Sequence, residues 1–263
     1  MSEIQRIAMT DTPVVRDWAA ALADAGLRHP RRILLWFIGL HAALWTFLGH
    51  VMRPNFPVDV IEMLVWGREW QWGYFKHPPL PAWVMEGADW VTGGANWAPY
   101  LVSQAFVAAM FWAVWRLGAE IVGPRRALLG VVTLAGVGAY DYGALQFNHN
   151  VAQYPFWALI GWSLYKAMRE DSTRHWLLLG AWTALGLLAK YQTLALLLPL
   201  AAFVVLQPQA RRCLRTPGPY LAAAVAFVRL LPNLLWLLHH DALGPARFAL
   251  ARSEEHTSEL QSH

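Results

Sequence analysis

The apolar residues of this chain are gathered into blocks of about twenty, separated by arginine and lysine clusters. A block of that length, wound as helix, is long enough to cross a hydrocarbon core of roughly 30 Å. Hydrophobic residues make up 57% of the 263 and charged ones 14%, unlike an average soluble domain. The pattern predicts an all-α polytopic transmembrane helical bundle.

Spans are expected at about Ile33 to Met52, Trp97 to Ala119, Ala127 to Gln146, Val151 to Met168 and Pro219 to Leu238. The run from Trp176 to Leu206 is too long for one untilted span and is interrupted by Lys190-Tyr191-Gln192, so it reads as two short helices meeting at a polar break. That gives about seven crossings. The basic clusters Arg28/Arg31/Arg32, Arg116/Arg125/Arg126, Lys166/Arg169/Arg174 and Arg211/Arg212/Arg215 all fall on one side of such a bundle. By the positive-inside rule that side is the cytoplasm and holds the N-terminal segment, residues 1–32. Acidic residues and the lack of a small-residue cleavage site argue against a secretory signal there. The outer side receives Arg53 to Asn96, Phe147 to Asn150, the Lys190 break and the chain after His239.

The last twelve residues, RSEEHTSELQSH, are polar, follow directly on an apolar segment and resemble the in-frame translation of a sequencing adapter. They are set aside from fold reasoning. Without Arg252, Glu254, Glu255 and Glu259 the formal net charge rises from +4 to +6. The membrane domain, residues 33–251, is then expected to be incomplete and inactive by itself, with the natural protein continuing past Ala251. The single Cys213 excludes an internal disulfide, and no Cys/His spacing suggests zinc. Several of the sixteen tryptophans fall where spans meet the interface, as aromatic belts do.

The outer segment Pro57 to Trp83, PVDVIEMLVWGREWQWGYFKHPPLPAW, carries more chemistry than a connector needs. Val58 to Trp70 reads as an amphipathic helix with Val58, Ile61, Leu64 and Val65 on one side and Asp59, Glu62 and Glu69 on another. It would lie in the interface, apolar face down. Asp59 and Glu62 share a face and are either its solvated side or a place for a general base, which needs reach to an acceptor hydroxyl and partial exclusion of water. Lys76 and His77 precede the rigid Pro78-Pro79 turn, where they can hold a phosphate headgroup or simply meet ordinary lipid phosphates. Tyr74 and the tryptophans can stack on a sugar or isoprenoid, or anchor the loop.

In the short second outer loop, Asn148 and Asn150 can bind a sugar hydroxyl or phosphate, or cap the helix that follows; capping suits one of them. His149 reads as a satisfied surface histidine. Lys190, between two apolar helices, must snorkel or meet an anion. Arg229 lies within the seventh span, where a charge is equally costly, and the sequence names no partner for it.

With these motifs in place, the chain resembles the GT-C glycosyltransferases that use polyprenyl-phosphate sugars, in particular the bacterial family-39 group of aminoarabinose and galacturonic-acid transferases. That group places an acidic residue at the start of its first periplasmic loop, then an aromatic interfacial helix, then a Gly-Tyr-Phe-x-His-Pro-Pro-Leu run. Here these are Asp59, Trp66 with Trp72, and Gly73 to Leu80. Phe147-Asn148-His149-Asn150 with Pro155 and Trp157 resembles the second-loop motif, Gly186 to Tyr191 the Gly-x-x-x-x-Lys-Tyr motif, and Pro232 to Trp236 a Pro-His-Leu-Leu-Trp segment with Asn233 in place of His. The resemblance covers about residues 30–251. It implies Asp59 as general base and Lys190 near the lipid-linked phosphate; Tyr191, Lys76, His77, Tyr74, Glu62, Asn148 and Asn150 complete the candidate substrate- or phosphate-binding set. Val60 stands where many members have a second acid, and Asn148 and Asn150 where many have an acid in the second loop. No metal ligand set can therefore be assigned, although a divalent cation stays compatible, with Glu62 able to serve only if it turns into the same pocket.

The resemblance implies inverting transfer of a sugar from a polyprenyl-phosphate carrier to a lipid, glycan or protein acceptor, at the periplasmic face of a bacterial inner membrane. Membrane lipids are the other expected partners; nucleic acid is not one. Two rival readings are a lipid-linked sugar transporter or flippase, which predicts repeated halves and ionisable residues deep in spans, and a non-catalytic membrane subunit.

Overall fold

The computed structural model describes residues 28–53 and 55–240. The sequence also has a short amphipathic stretch near Asp17 to Leu27; it and the adapter-like tail lie outside the described residues, which contain no β-strand. The described residues form ten α-helices, α1 (Pro30–Met52), α2 (Val58–Gly67), α3 (Leu80–Thr92), α4 (Ala98–Val122), α5 (Pro124–Leu134), α6 (His149–Glu170), α7 (Thr173–Ala189), α8 (Leu194–Leu206), α9 (Pro208–Arg211) and α10 (Gly218–His239).

The long helices pack as a row in which α4 meets α1, α5 and α6, α6 meets α7, and α7 meets α10. Small residues set the closest approaches, as between membrane helices generally. A Cβ on Gly49 would lie 2.5 Å from the Tyr100 ring, and one on Gly180 would lie 2.3 Å from the Ala222 carbonyl oxygen. The shorter helices α2 and α3 pack on each other and cover one end of the row, with Met63 and Met85 joining Phe111, Phe147 and Val107 in a single core.

Among the described residues three helices, α1, α4 and α10, are long and apolar enough to cross a membrane. A fourth crossing results if Tyr191–Leu206 and Pro208–Arg215, bent by 88° against each other, are taken as one broken span. The expected third span is not one helix. Within Ala127 to Gln146 the α-helix stops at Leu134, and only a 3₁₀ turn at Tyr142–Ala144 follows. Gly136, Gly138 and Gly143 follow, and each weakens a helix without lowering the apolar character of the run. The eleven residues of α5 extend only about 16 Å. The break in the next long apolar run falls at Lys190, where α7 gives way to a 3₁₀ turn, Tyr191–Thr193. Thr193 secures it: its hydroxyl donates to the Gly186 carbonyl (2.8 Å) and accepts from the Trp157 indole (3.2 Å).

The two ends of the row differ. At one, Glu120 near the end of α4 meets Lys166 of α6 (3.3 Å), and Trp176 packs on Gly218. At the other lie the first turn of α2, the start of α6, the α7–α8 break and the last turns of α10.

Candidate active site

Asp59 stands in the first turn of α2, where a carboxylate is favoured by the helix dipole. It accepts a hydrogen bond from the Asn148 amide, 3.1 Å away across 89 residues of sequence. The same Asn148 is the N-cap of α6: its side-chain oxygen accepts from the backbone N–H groups of Asn150 (3.0 Å) and Val151 (3.2 Å). Capping and site roles, alternatives in the sequence, are thus filled by opposite ends of one amide. Asn150 takes no capping role through its side chain; its oxygen accepts from the Lys190 ammonium.

Lys76 is paired with Glu62 (2.6 Å) and lies over the faces of Trp66 and Phe75. His77 sits among these charges and stacks on His149, with ring centroids 3.9 Å apart. Burial, then Lys190 and Lys76, lower its pKa against the opposing pull of Glu62 and Asp59. His149 is not a surface histidine. It is 4% exposed, its Nε2 lies 3.4 Å from the Pro78 carbonyl, and burial, then His77, takes its pKa down to about 2. Burial also lowers the pKa of Lys190, while Asp59 acts to raise it.

Tyr74 is buried, stacks on Trp66 at 5.0 Å and donates its hydroxyl proton to the Trp66 carbonyl. Its hydroxyl therefore holds the loop to α2. Tyr191 donates to Asn233 of α10 (3.3 Å), and the Asn233 amide in turn donates to the Trp72 carbonyl. A Cβ on Gly73 would strike the Trp236 ring at 2.4 Å. Between these elements opens a cavity of about 420 Å³ lined by Trp66, Glu69, Lys76, Tyr191, Trp236 and His240 among others. Asn233 as a tie, Trp236 as a wall and His149 as a buried prop were not legible as site residues. Each gains its role from a segment distant in sequence.

The nine candidate residues thus gather at one end of the bundle. No group of three His, Cys, Asp or Glu side chains among the described residues is placed to hold a metal ion. Asp59 has an amide and a cation for neighbours, a donor set that does not fit a hard divalent cation, which requires several oxygen ligands.

A bundle of membrane-crossing helices with a carboxylate–cation cluster at one end is the architecture expected of GT-C glycosyltransferases. The model of the dolichyl-phosphate-mannose-protein mannosyltransferase family matches residues 76–236, and the chain belongs to that family. It is 29% identical over 219 residues to the lipid A galacturonosyltransferase RgtD of Rhizobium johnstonii, a match covering 81% of this chain and 44% of the relative. The lipopolysaccharide core galacturonosyltransferases RgtB and RgtA of the same organism are each 27% identical, over 82% and 76% of this chain and 45% and 41% of their own lengths. The chain spans less than half the length of these curated relatives. No solved structure matches it significantly.

Proposed function

We propose that this chain forms part of a membrane glycosyltransferase that moves a sugar from a polyprenyl-phosphate carrier to an acceptor hydroxyl at the outer face of a bacterial inner membrane. The relatives' names point to a galacturonosyl group and to lipid A or the lipopolysaccharide core as acceptor. The observation that carries the reading is the pairing of Asp59 with Asn148 beside Lys190. In the proposed step the acceptor oxygen bonds to the anomeric carbon while its proton passes to the Asp59 carboxylate. The bond from that carbon to the phosphate oxygen breaks, and the polyprenyl phosphate leaves with the electron pair. Lys190 stabilises the charge on the leaving phosphate, helped by Lys76 once it turns from Glu62. A single displacement inverts the anomeric carbon. Tyr191 lines the cavity, His77 stands near Lys190 and Lys76 beside the phosphate, and Asn150 holds Lys190 in place until the phosphate arrives.

The finer topology belongs to the same proposal. The N-terminus lies in the cytoplasm and the chain makes about seven passes, the third formed by α5 and the turns after it. Val58, Ile61 and Val65, exposed on α2 by 73%, 48% and 54%, rest in the outer interface. The test is Asp59→Asn in membranes carrying the intact gene product. Sugar transfer should fall at least about 10²-fold with insertion unchanged; undiminished transfer would sink the assignment.

A further inference from the structure

On α10 the buried and half-buried residues, among them Ala222, Val225, Ala226, Asn233 and Trp236, form one stripe with helical spacing. At about 100° per residue, Arg229 falls in the middle of that stripe. Yet Arg229 is exposed, unlike its neighbours on the stripe. The bundle is open at this level. Ala222 and Ala226, the two preceding turns of the stripe, border an apolar cavity of about 330 Å³ shared with Leu197 and Leu200 of α8. α8 itself has no buried residue, and Leu198 is 70% exposed. On α10, Phe227, Val228 and Leu235 are exposed as well.

In lipid, exposed leucines and valines are unremarkable, but a guanidinium is not. Arg229 is eleven residues from the start of α10 and ten from its end, so about 15 Å from either at 1.5 Å per residue. That exceeds the reach of one arginine side chain, and lipid phosphates lie beyond it. Among the described residues no acid is placed to pair with Arg229. α1, α5, α7, α8 and α10 contain no Asp or Glu, and those of α4 and α6 sit in the last turn, at Glu120 and Glu170. Asp141, in the turns after α5 and near His41 at the middle of α1, is the one described acid close to this depth, and its carboxylate is engaged by the backbone N–H of Tyr142.

We propose that the face formed by α8 and α10 receives a further membrane-spanning helix that carries an aspartate or glutamate near its midpoint, paired with Arg229. The helix comes from polypeptide outside these 263 residues; the relatives, more than twice as long as their match to this chain, have room for it. This pairing is independent of whether Asp59 is the base. Pairing spares each charge the cost of being buried alone and fixes the depth at which the two helices meet.

The test places the photo-crosslinker p-benzoylphenylalanine at Val228 and, separately, at Leu198 in the polypeptide expressed from its intact gene in native membranes. Mass spectrometry should find the crosslink on an apolar helix outside residues 1–263, with Asp or Glu within one turn of the linked residue. Arg229→Glu should lower the yield at least tenfold, and arginine in place of the partner acid should restore it. Should Arg229→Glu fail to accumulate, Arg229→Gln, which only removes the charge, is read in the same way. Crosslinks to a second copy or to lipid alone, or a yield indifferent to Arg229, would overturn the proposal.

Discussion

Asn148 joins a helix cap to the proposed base, and the two functions can be separated by substitution. Asn148→Ala removes both. Losing the cap costs about 1 kcal/mol, and losing a hydrogen bond to a carboxylate costs about 1.5–3 kcal/mol, with the lower end fitting a half-exposed Asp59. Asn148→Ser keeps a capping oxygen but is too short to donate to Asp59, so stability should return while transfer does not. Asn148→Asp keeps the cap and replaces the donor by a second carboxylate. At the present 3.1 Å separation two such charges repel by about 5 kcal/mol at an effective dielectric of 20 and about 1 kcal/mol in bulk water. One of the two must then stay protonated until the pH is raised, so the acid limb of the transfer profile should move to higher pH. Thermal unfolding in detergent and transfer rates against pH, measured on all three variants of the intact gene product, check this. If Asn148→Ser restored stability and transfer together, or Asn148→Asp left the pH profile in place, the amide would be a cap and nothing more.

Two further outcomes are expected. Lys190→Met should reduce transfer by about 10²–10³-fold, the effect of removing one preorganised stabiliser of developing charge. Because burial lowers the pKa of Lys190 below 10.5, its charge is present at low pH and lost as pH rises through the lowered value. The alkaline limb should therefore fall earlier than for an ordinary lysine, and Lys190→Arg should extend it; a limb unmoved by arginine would place the titration elsewhere. Gly180→Ala sets a Cβ 2.3 Å from the Ala222 carbonyl oxygen, which belongs to backbone and cannot swing aside. Forcing α7 and α10 apart should cost about 1–3 kcal/mol, visible as a lower melting temperature; an unchanged one would mean that the two helices are further apart.

The sequence-legible features were those with a one-dimensional signal. Apolar length located α1, α4 and α10, and an interrupting Lys-Tyr-Gln located the α7–α8 break, because a polar triplet inside an apolar run has few other meanings. Hydropathy failed at residues 135–141, where glycines and Asp141 end the helix although the average stays apolar. The site was legible as a set of residue types but not as a wiring plan. Nothing local links Lys76 to Glu62 rather than to solvent, or Asn150 to Lys190, since those pairs form only when α2, α6 and α7 end at one level. The burial of His149 has no local signal for the same reason. A histidine in a four-residue loop is normally wet, and here the Pro78-Pro79 turn and His77 close over it.

Asn233 shows what such wiring permits. It must give one proton and accept another, donating to Trp72 and accepting from Tyr191. A carboxamide does this with its two ends, and a neutral imidazole does it with its two ring nitrogens. The histidine of the Pro-His-Leu-Leu-Trp segment that this chain resembles can therefore satisfy the same two partners as asparagine does. At this joint, lineages can exchange one side chain for the other without redrawing the backbone around it. A leucine or an alanine would leave two hydrogen-bonding groups without partners at this end of the bundle.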